Sequence, residues 1–207
     1  MKRGVLIVMA RAPRFGAVKT RLAQDIGALN AWRFYRNTLA STVNRLSRRA
    51  IWSTALQVTP DRDVRPRRQW PSPARLLSQG HGDLGARIER GLTSSPRGVP
   101  VVLIGSDIPG ITPQHIRDAF KALGRSDAVF GPAADGGYWL IGFANRRPIK
   151  WAFSDVRWST AHALTDTQAN IRNKRIAFVR TMSDVDDGES YEGIRRQSNQ
   201  RAIRGFG

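Results

Sequence analysis

One short segment is the clearest guide to this chain: Val101-Val102-Leu103-Ile104-Gly105-Ser106-Asp107-Ile108-Pro109-Gly110. Its apolar first half is typical of a buried strand, and its second half is typical of a turn. Asp107 therefore falls at the carboxyl end of a strand, where open α/β sheets bind their ligands. A carboxylate there could hold a divalent cation, and the cation could hold a diphosphate. Asp107 could equally cap the turn before Pro109, so both roles stay open.

Apolar runs alternate with helical patterns along the rest of the chain. The patterns predict strands over residues 4–10, 50–58, 75–77, 99–104, 128–130, 138–143 and 175–179. They predict helices over residues 28–48, 83–92, 113–123, from Ser159 or Thr160 to 171, and 188–196, with a Pro- and Arg-rich surface loop over 61–73. This alternation predicts one α/β domain over residues 1–207, with a mostly parallel central sheet and helices on both faces. An antiparallel pair is expected within residues 128–143.

Composition excludes several classes of site. The 207 residues include no cysteine, which excludes disulfides, thiolate zinc sites and thiol nucleophiles. They include only three histidines, which argues against a histidine-rich metal site. No apolar run reaches the roughly 20 residues that cross a bilayer. The apolar start of the chain is short, and Arg11 interrupts it, so a buried strand is favoured over a signal peptide. We therefore expect a cytoplasmic protein with no membrane partner.

The net charge of +18 raises the question of a nucleic-acid partner. Most of the 34 basic residues are Arg, and they are spread along the chain without interleaved aromatic residues. We therefore expect no specific nucleic-acid partner, although non-specific binding to polyanions at low salt is expected of any chain with this charge.

The loop after the first predicted strand carries Lys19 and Arg21. An ammonium and a guanidinium at this place could neutralise a diphosphate, or both could simply face solvent. The loop is not a P-loop, because Val18 stands where that motif needs Gly before Lys, and no G-x-G-x-x-G follows the strand.

A second loop, Ala134-Asp135-Gly136-Gly137-Tyr138-Trp139, combines a carboxylate, two glycines and two aromatic residues. Asp135 could orient or deprotonate an acceptor hydroxyl, with Gly136 and Gly137 allowing close approach and Tyr138 or Trp139 stacking on a ring. The alternative is a tight turn that leads into a strand whose aromatic residues face the core.

A third segment, Asp184-Val185-Asp186-Asp187, lies near the C-terminus. In extended backbone Asp184 and Asp186 point to one side and Asp187 to the other. The first two could form the second half of a cation site. Asp186 or Asp187 could instead cap the helical segment beginning near Gly188, and both roles can hold for adjacent residues.

Six motifs follow one another along the chain: Ala10-Arg11-Ala12-Pro13 through Lys19-Thr20-Arg21-Leu22, Gly82-Asp83-Leu84-Gly85, Gly105-Ser106-Asp107-Ile108-Pro109, Gly131-Pro132-Ala133-Ala134-Asp135-Gly136-Gly137-Tyr138, Trp158-Ser159-Thr160 and Asp184-Val185-Asp186. In these six motifs the chain resembles the DUF2064 proteins, a glycosyltransferase-like branch of the GT-A nucleotide-diphospho-sugar transferases. Two positions depart from the family pattern: Ala134 stands where an acidic residue is frequent, and Asp187-Gly188 stands where Thr-Pro is usual.

The resemblance implies a single Rossmann-like GT-A domain with a nucleotide near the first loop and a divalent cation near Asp107. On that basis we assign nucleotide and phosphate binding to Ala10, Arg11, Lys19, Arg21 and Ser106. Mg²⁺ or Mn²⁺ is assigned to Asp107, Asp184 and Asp186. The catalytic candidates are Asp107 and Asp135, and the acceptor loop is Gly136, Gly137 and Tyr138.

The activity expected from these assignments is metal-dependent glycosyl transfer from a nucleotide sugar to a small-molecule acceptor. The alternative within enzymes is nucleotidyl transfer, in which an NTP reacts with a phosphorylated acceptor and releases pyrophosphate. A protein that binds nucleotides or polyanions without turnover is the alternative outside them. Some relatives of the family are guanylyltransferases of deazaflavin cofactor synthesis.

Overall fold

The computed structural model describes residues 4–47, 51–65, 70–71, 75–146 and 151–204, with side chains of the last range described up to residue 196. The predicted helix end at Arg48, the predicted strand start at Ala50, and residues 66–69 and 72–74 of the Pro- and Arg-rich loop lie outside these residues.

Seven strands form one sheet in the described chain. They are β1 (Gly4–Arg11), β2 (Trp52–Thr59), β3 (Arg75–Ser78), β4 (Val101–Gly105), β5 (Ala128–Pro132), β6 (Tyr138–Phe143) and β7 (Ile176–Phe178). Their order across the sheet is β3-β2-β1-β4-β6-β5-β7. Strand β6 is antiparallel to both of its neighbours, and the other pairs are parallel. The expected mostly parallel sheet, with an antiparallel pair in residues 128–143, is confirmed.

The described helices are α1 (Thr20–Ile26), α2 (Ala28–Ser47), α3 (Leu84–Thr93), α4 (Pro113–Leu123), α5 (Ala163–Asn170) and α6 (Gly188–Arg204). Side chains alternate along each strand, so both faces of the sheet are apolar, and helices cover both. Leu6 and Val8 of β1 belong to the core cluster that includes Leu39 of α2 and Ile116 of α4. Ile7 lies in the cluster on the opposite face with Ile88 of α3.

Local sequence signals set several helix boundaries. The Asp83 carboxylate accepts a hydrogen bond from the amide of Ala86 at 2.8 Å, which caps α3 as the sequence predicts. Thr112 caps α4 in a reciprocal capping box with His115, and Pro113 occupies the first turn.

Three helices differ from expectation. Helix α6 continues past the predicted end at residue 196 to Arg204. Helix α1 was not predicted, because it is only one and a half to two turns long and ends at Gly27, whose φ is 82°. Helix α5 begins at Ala163 rather than at Ser159 or Thr160. Ser159 has a φ of 59° and belongs to a turn, in which the Thr160 hydroxyl donates to the carbonyl of Arg157 at 2.7 Å.

Three of the sequence motifs pack against one another on one side of the sheet. A Cβ on Gly85 would lie 2.9 Å from the Trp158 ring, and a Cβ on Gly136 would lie 2.3 Å from the carbonyl oxygen of Ala161. The Trp158 and Tyr138 rings are 6.4 Å apart, edge to face. The two glycines therefore permit close approach between segments of this chain.

Within the described part of the chain, none of the helices combines the length and the apolarity that a bilayer crossing requires.

We predict that Gly136→Ala lowers the free energy of unfolding by about 2–4 kcal/mol. The substitution forces a left-handed backbone on alanine and moves the Ala161 backbone. Gly98→Ala is the matched control: its φ of 81° is close to the 85° of Gly136, but its Cβ would meet open space. The control should cost about 1 kcal/mol. Urea unfolding measures both, and equal losses would show that the contact with Ala161 is not tight.

Candidate functional site

The site lies where the neighbouring parallel strands β1 and β4 end. Met9 pairs with Gly105 in the parallel register, so the residues that follow each strand emerge at the same edge of the sheet. Arg11 ends β1, and Asp107 follows β4. The expectation that Asp107 lies at a carboxyl-terminal strand edge therefore agrees with the structure.

Three carboxylates meet at this edge. Asp107, Asp184 and Asp186 each offer an oxygen atom, and these atoms lie within 4.8 Å of one another. Val185, between the two later residues, is fully buried in a cluster with Leu22 of α1 and Ala31 of α2. Because extended backbone alternates, anchoring Val185 inward turns Asp184 and Asp186 outward on one side. The structure thus brings together all three residues assigned to a metal.

Lys19 joins the cluster through two ion pairs. Its Nζ lies 2.9 Å from Oδ2 of Asp107 and 2.5 Å from Oδ1 of Asp186. The Lys19 side chain is only 7% exposed, whereas those of Asp107 and Asp186 are 34% and 47% exposed. Lys19 immediately precedes α1 and has a left-handed backbone, with φ 49° and ψ 48°. That conformation is uncommon for lysine, so the surrounding contacts must stabilise it.

The charges of the cluster shift the pKa values of its members. Burial alone would lower the pKa of Lys19, but the adjacent Asp107 and Asp186 carboxylates outweigh it, and the pKa is raised. Burial, followed by the charges of Asp186 and Asp107, raises the pKa of Asp184 to about 6. The ammonium therefore stays charged at neutral pH while the third carboxylate is held less firmly in its ionised form.

A cleft of about 350 Å³ opens over Lys19, and we call it the first cleft. Its lining includes Arg11, Arg21 and Ser106 as well as Asp107 and Asp186. The first cleft therefore brings these five residues together with Lys19. All six were assigned from the sequence to the nucleotide, its phosphates or the metal. Arg11 and Arg21 are exposed, so their guanidinium groups are available to an anion that enters.

Tyr35, which lies within the predicted helix over residues 28–48, also lines the first cleft. Its hydroxyl accepts from the amide of Arg11, donates to the carbonyl of Arg11, both at 2.9 Å, and lies 3.2 Å from the hydroxyl of Ser106. The side chain is 4% exposed. Tyr35 therefore ties the end of β1 to the turn after β4. The sequence does not reveal this role, because packing alone explains an aromatic residue at a core position of a helix.

Two of the assigned residues face the interior of the protein. Ser106 is 5% exposed and directs its hydroxyl to Tyr35. Ala10 is 2% exposed, and its carbonyl accepts from the side-chain amide of Gln79 at 3.1 Å. Neither side chain presents a free polar group to the cleft, so any contact with a nucleotide would be through the backbone or by shape.

The second loop lies beside the cluster without lining the first cleft. Asp135 is exposed, and its carboxylate accepts from the amide of Gly137 at 2.9 Å, which is turn geometry. It is close enough for its charge to contribute to the raised pKa of Asp184. Gly136 has a φ of 85° and packs on Ala161. Tyr138 turns inward and packs edge to face on Phe130, with ring centroids 5.4 Å apart, and burial raises the pKa of its hydroxyl.

Helix α6 begins beside the cluster, although Asp187-Gly188 stands where the family usually has Thr-Pro. The Asp187 carboxylate accepts from the amide of Ser190 at 2.9 Å, and the amide of Gly188 donates to the Asp25 carboxylate at 2.7 Å. Asp187 thus caps α6, as its alternative role predicts, while Asp184 and Asp186 face the cluster.

The comparisons with known proteins agree with this architecture. The family described as "Uncharacterized protein conserved in bacteria (DUF2064)" matches residues 42–160, more than half of the chain. The chain belongs to the DUF2064 family. No protein of curated function matches its sequence.

Among solved structures, this DUF2064 protein is similar to a provisionally assigned nucleotide-diphospho-sugar transferase from Desulfovibrio desulfuricans G20. The two share 28% identity over 90% of this chain and 84% of the other, with a TM-score of 0.81. A nucleotidyl transferase from Methanothermobacter thermautotroptrophicus shares 14% identity over 96% of this chain and 99% of the other, with a TM-score of 0.62. The 2-C-methyl-D-erythritol 4-phosphate cytidylyltransferase from Thermus thermophilus shares 16% identity over 92% and 95%, with a TM-score of 0.54. The expected GT-A-like α/β fold is confirmed.

We predict that Lys19→Met lowers the free energy of unfolding by about 1–2 kcal/mol at low ionic strength. The variant leaves three adjacent carboxylates without their ammonium, and partial exposure keeps the loss below that of a fully buried pair. Urea unfolding measures the loss, with Lys121→Met, at an exposed residue of α4, as the control. Adding Asp186→Asn to Lys19→Met should restore part of the stability. If the effects of the two substitutions on the free energy of unfolding simply add, the pairing of Lys19 with Asp186 is contradicted.

Proposed function

We propose that this DUF2064 protein is a metal-dependent transferase that moves a glycosyl group from a nucleotide sugar to a small-molecule acceptor. The observation that carries the proposal is the pairing of Asp107 and Asp186 with Lys19 in the first cleft, with an oxygen atom of Asp184 within 4.8 Å of theirs. Cationic side chains for a diphosphate and carboxylates for a cation then share one space. The name of the Desulfovibrio protein, a nucleotide-diphospho-sugar transferase, supports the same reaction class.

The residues present fit a divalent cation. Carboxylate oxygens are the ligands that Mg²⁺ and Mn²⁺ prefer, and three of them lie within 4.8 Å of one another here. Two of these carboxylates already share one positive charge, the ammonium of Lys19, and this supports the assignment of a cation to the cluster. When bound, Mg²⁺ or Mn²⁺ would stabilise negative charge on the diphosphate leaving group.

The cationic side chains of the first cleft have complementary tasks in this proposal. Lys19 supplies a mobile point charge, and Arg21 supplies a planar fork that suits phosphate oxygens. Because Lys19 is both nearly buried and paired, it is held at the floor of the cleft before any ligand enters. We assign Lys19 and Arg21 to sharing the negative charge that develops as the glycosyl bond breaks.

Nucleotidyl transfer is the second candidate, because the same cation and the same side chains would stabilise pyrophosphate as a leaving group. The structures that share the fold at low identity include two enzymes named for that reaction. The two reactions differ in product: glycosyl transfer releases a nucleoside diphosphate, and nucleotidyl transfer releases pyrophosphate.

We predict that one nucleotide sugar with Mn²⁺ stabilises the wild-type protein against heat and that Asp107→Asn abolishes this effect. A ligand at 100 times its Kd adds about 2.7 kcal/mol, which raises Tm by several degrees at this chain length. The measurement is Tm against a panel of nucleotide sugars, nucleoside diphosphates and NTPs, each with and without Mn²⁺. Asp118→Asn, at a carboxylate on α4 that accepts from Gln114, is the matched control and should behave as wild type.

The outcomes separate the candidates. Stabilisation by a nucleotide sugar, with nucleoside diphosphate as the product, supports glycosyl transfer. Preference for an NTP with pyrophosphate as the product supports nucleotidyl transfer instead. Absence of any metal-dependent effect contradicts both and leaves a protein that binds nucleotides or polyanions without turnover.

We also predict that Asp135→Asn lowers kcat at least about tenfold, because Asp135 remains our candidate for orienting or deprotonating the acceptor. Its exposed position beside Asp184 supports that role. The measurement is kcat and the nucleotide Kd together, with stability checked by urea unfolding. Unchanged kcat with lowered stability would show that Asp135 serves only the turn at Gly137.

A further inference from the structure

A larger cleft of about 860 Å³ opens on the other side of the carboxylate cluster, and we call it the second cleft. It lies between the N-terminal turns of α4 and α6 and the segment that follows β7. Thr112, His115, Arg180 and Gly193 are among its lining residues, and none of the residues that line the first cleft lines the second.

The two clefts meet at the carboxylate cluster. Asp107 and Asp186 line the first cleft, and Asp184 lines the second. Oxygen atoms of all three lie within 4.8 Å of one another. A molecule in the second cleft can therefore approach the same carboxylates as a diphosphate in the first cleft. That is the arrangement a transfer between two substrates requires.

The two clefts differ in charge. The first cleft sets three cationic side chains, those of Arg11, Lys19 and Arg21, against the carboxylates of Asp107 and Asp186. It therefore has an excess of positive charge before a metal is added, which suits a nucleotide diphosphate.

The second cleft has the opposite balance. Among its described lining residues, the carboxylates of Asp187 and Glu189 stand against the one guanidinium of Arg180, even when Asp184 is given to the metal. His115 adds no charge at neutral pH, because burial, followed by the charge of Arg180, lowers its pKa. An acidic surface runs against the net charge of +18 of the whole chain. A phosphorylated molecule would be repelled there, and a neutral or cationic molecule would not.

The second cleft also offers groups that bind hydroxyls. The exposed side chains of Thr181 and Ser183 both donate and accept, and the exposed carboxylate of Glu189 accepts. The Nδ1 atom of His115 accepts from the amide of Thr112 at 3.2 Å, so the neutral imidazole carries its proton on Nε2 and can donate. Met182 adds an apolar contact for a ring face.

We propose that the second cleft is the acceptor site and that it takes an uncharged or cationic polyhydroxylated molecule, such as a sugar, an amino sugar or a polyol. The inference rests on the proposed glycosyl transfer and specifies it. An acceptor hydroxyl oxygen forms the new bond to the anomeric carbon of the donor, and the bond from that carbon to the phosphate oxygen breaks. The nucleoside diphosphate leaves with the electron pair, and the hydroxyl proton passes to a carboxylate or to water. A phosphorylated acceptor, which nucleotidyl transfer would require, does not suit this charge.

Gly193 provides a way to close the second cleft alone. It lies in α6, lines the cleft, and a Cβ built on it meets nothing within 4 Å. Gly193→Trp should therefore fill the cleft without displacing backbone. Glu192→Trp is the matched control, because Glu192 lies on the same helix, is not among the described lining residues of the cleft and forms an exposed ion pair with Arg195.

The experiment titrates ¹⁵N-labelled protein with glucose, glucosamine and myo-inositol, and with glucose 6-phosphate and glucosamine 6-phosphate, and follows the amide shifts of residues 181–184. We expect the unphosphorylated probes to bind at least about tenfold more tightly than the phosphates, a difference of about 1.4 kcal/mol. Gly193→Trp should weaken their binding at least tenfold, and Glu192→Trp should not. Glu189→Lys should reduce the difference in affinity between glucose and glucose 6-phosphate.

Nucleotide-sugar binding with Mn²⁺ is measured calorimetrically on the wild-type protein, Gly193→Trp and Glu192→Trp, and should be equal in all three. If wild-type protein binds no nucleotide, the proposed function fails, whatever the sugars do. If nucleotide binds but the phosphates outcompete the unphosphorylated probes, the acceptor assignment alone is overturned. The same holds if none of the unphosphorylated probes shifts residues 181–184, or if Gly193→Trp binds them as wild type does.

Discussion

The ammonium of Lys19 is the interaction on which the site depends. It bridges Asp107 and Asp186, residues that lie 88 and 167 positions away along the chain. Three carboxylates crowded at one strand edge would repel one another without a nearby cation, and the single buried ammonium offsets much of that repulsion. The same pairing holds the first loop, the turn after β4 and the segment before α6 together, so the organisation of the site and the packing of the N-terminal helices are linked.

The carboxylate cluster also separates two spaces of opposite charge. The described lining of the first cleft has three cationic side chains against two carboxylates, and that of the second has three carboxylates against the guanidinium of Arg180. The chain has a net charge of +18, so an acidic cleft differs in sign from the rest of the protein. A local charge of this kind favours some ligands and repels others. The burial of Val185 makes the arrangement possible, because it turns Asp184 and Asp186 outward together while the backbone passes between the clefts.

Much of the fold could be predicted from local pattern. The apolar run before Asp107 and the caps at Asp83 and Thr112 are short-range features, and the structure reproduces them. Helix α1 was missed because its stability comes from Leu22 packing on Ala31 and Val185, and a helix this short has little periodicity of its own. Tyr138 illustrates the opposite case. The pattern left a stacking role open, and the core between Phe130 and Trp158 holds the ring.

The residue types and their order along the chain were enough to place carboxylates at the ends of strands, to exclude thiol chemistry and to indicate the DUF2064 family. The first two follow from local backbone preferences and composition, which act over a few residues, and the family follows from the resemblance of six ordered motifs. Tertiary structure alone decided that Lys19 pairs with the carboxylates, that Tyr35 ties β1 to the turn after β4, and that two clefts of opposite charge share one border. Those features depend on distances between segments far apart in sequence, and only the packing of the sheet and its helices sets such distances.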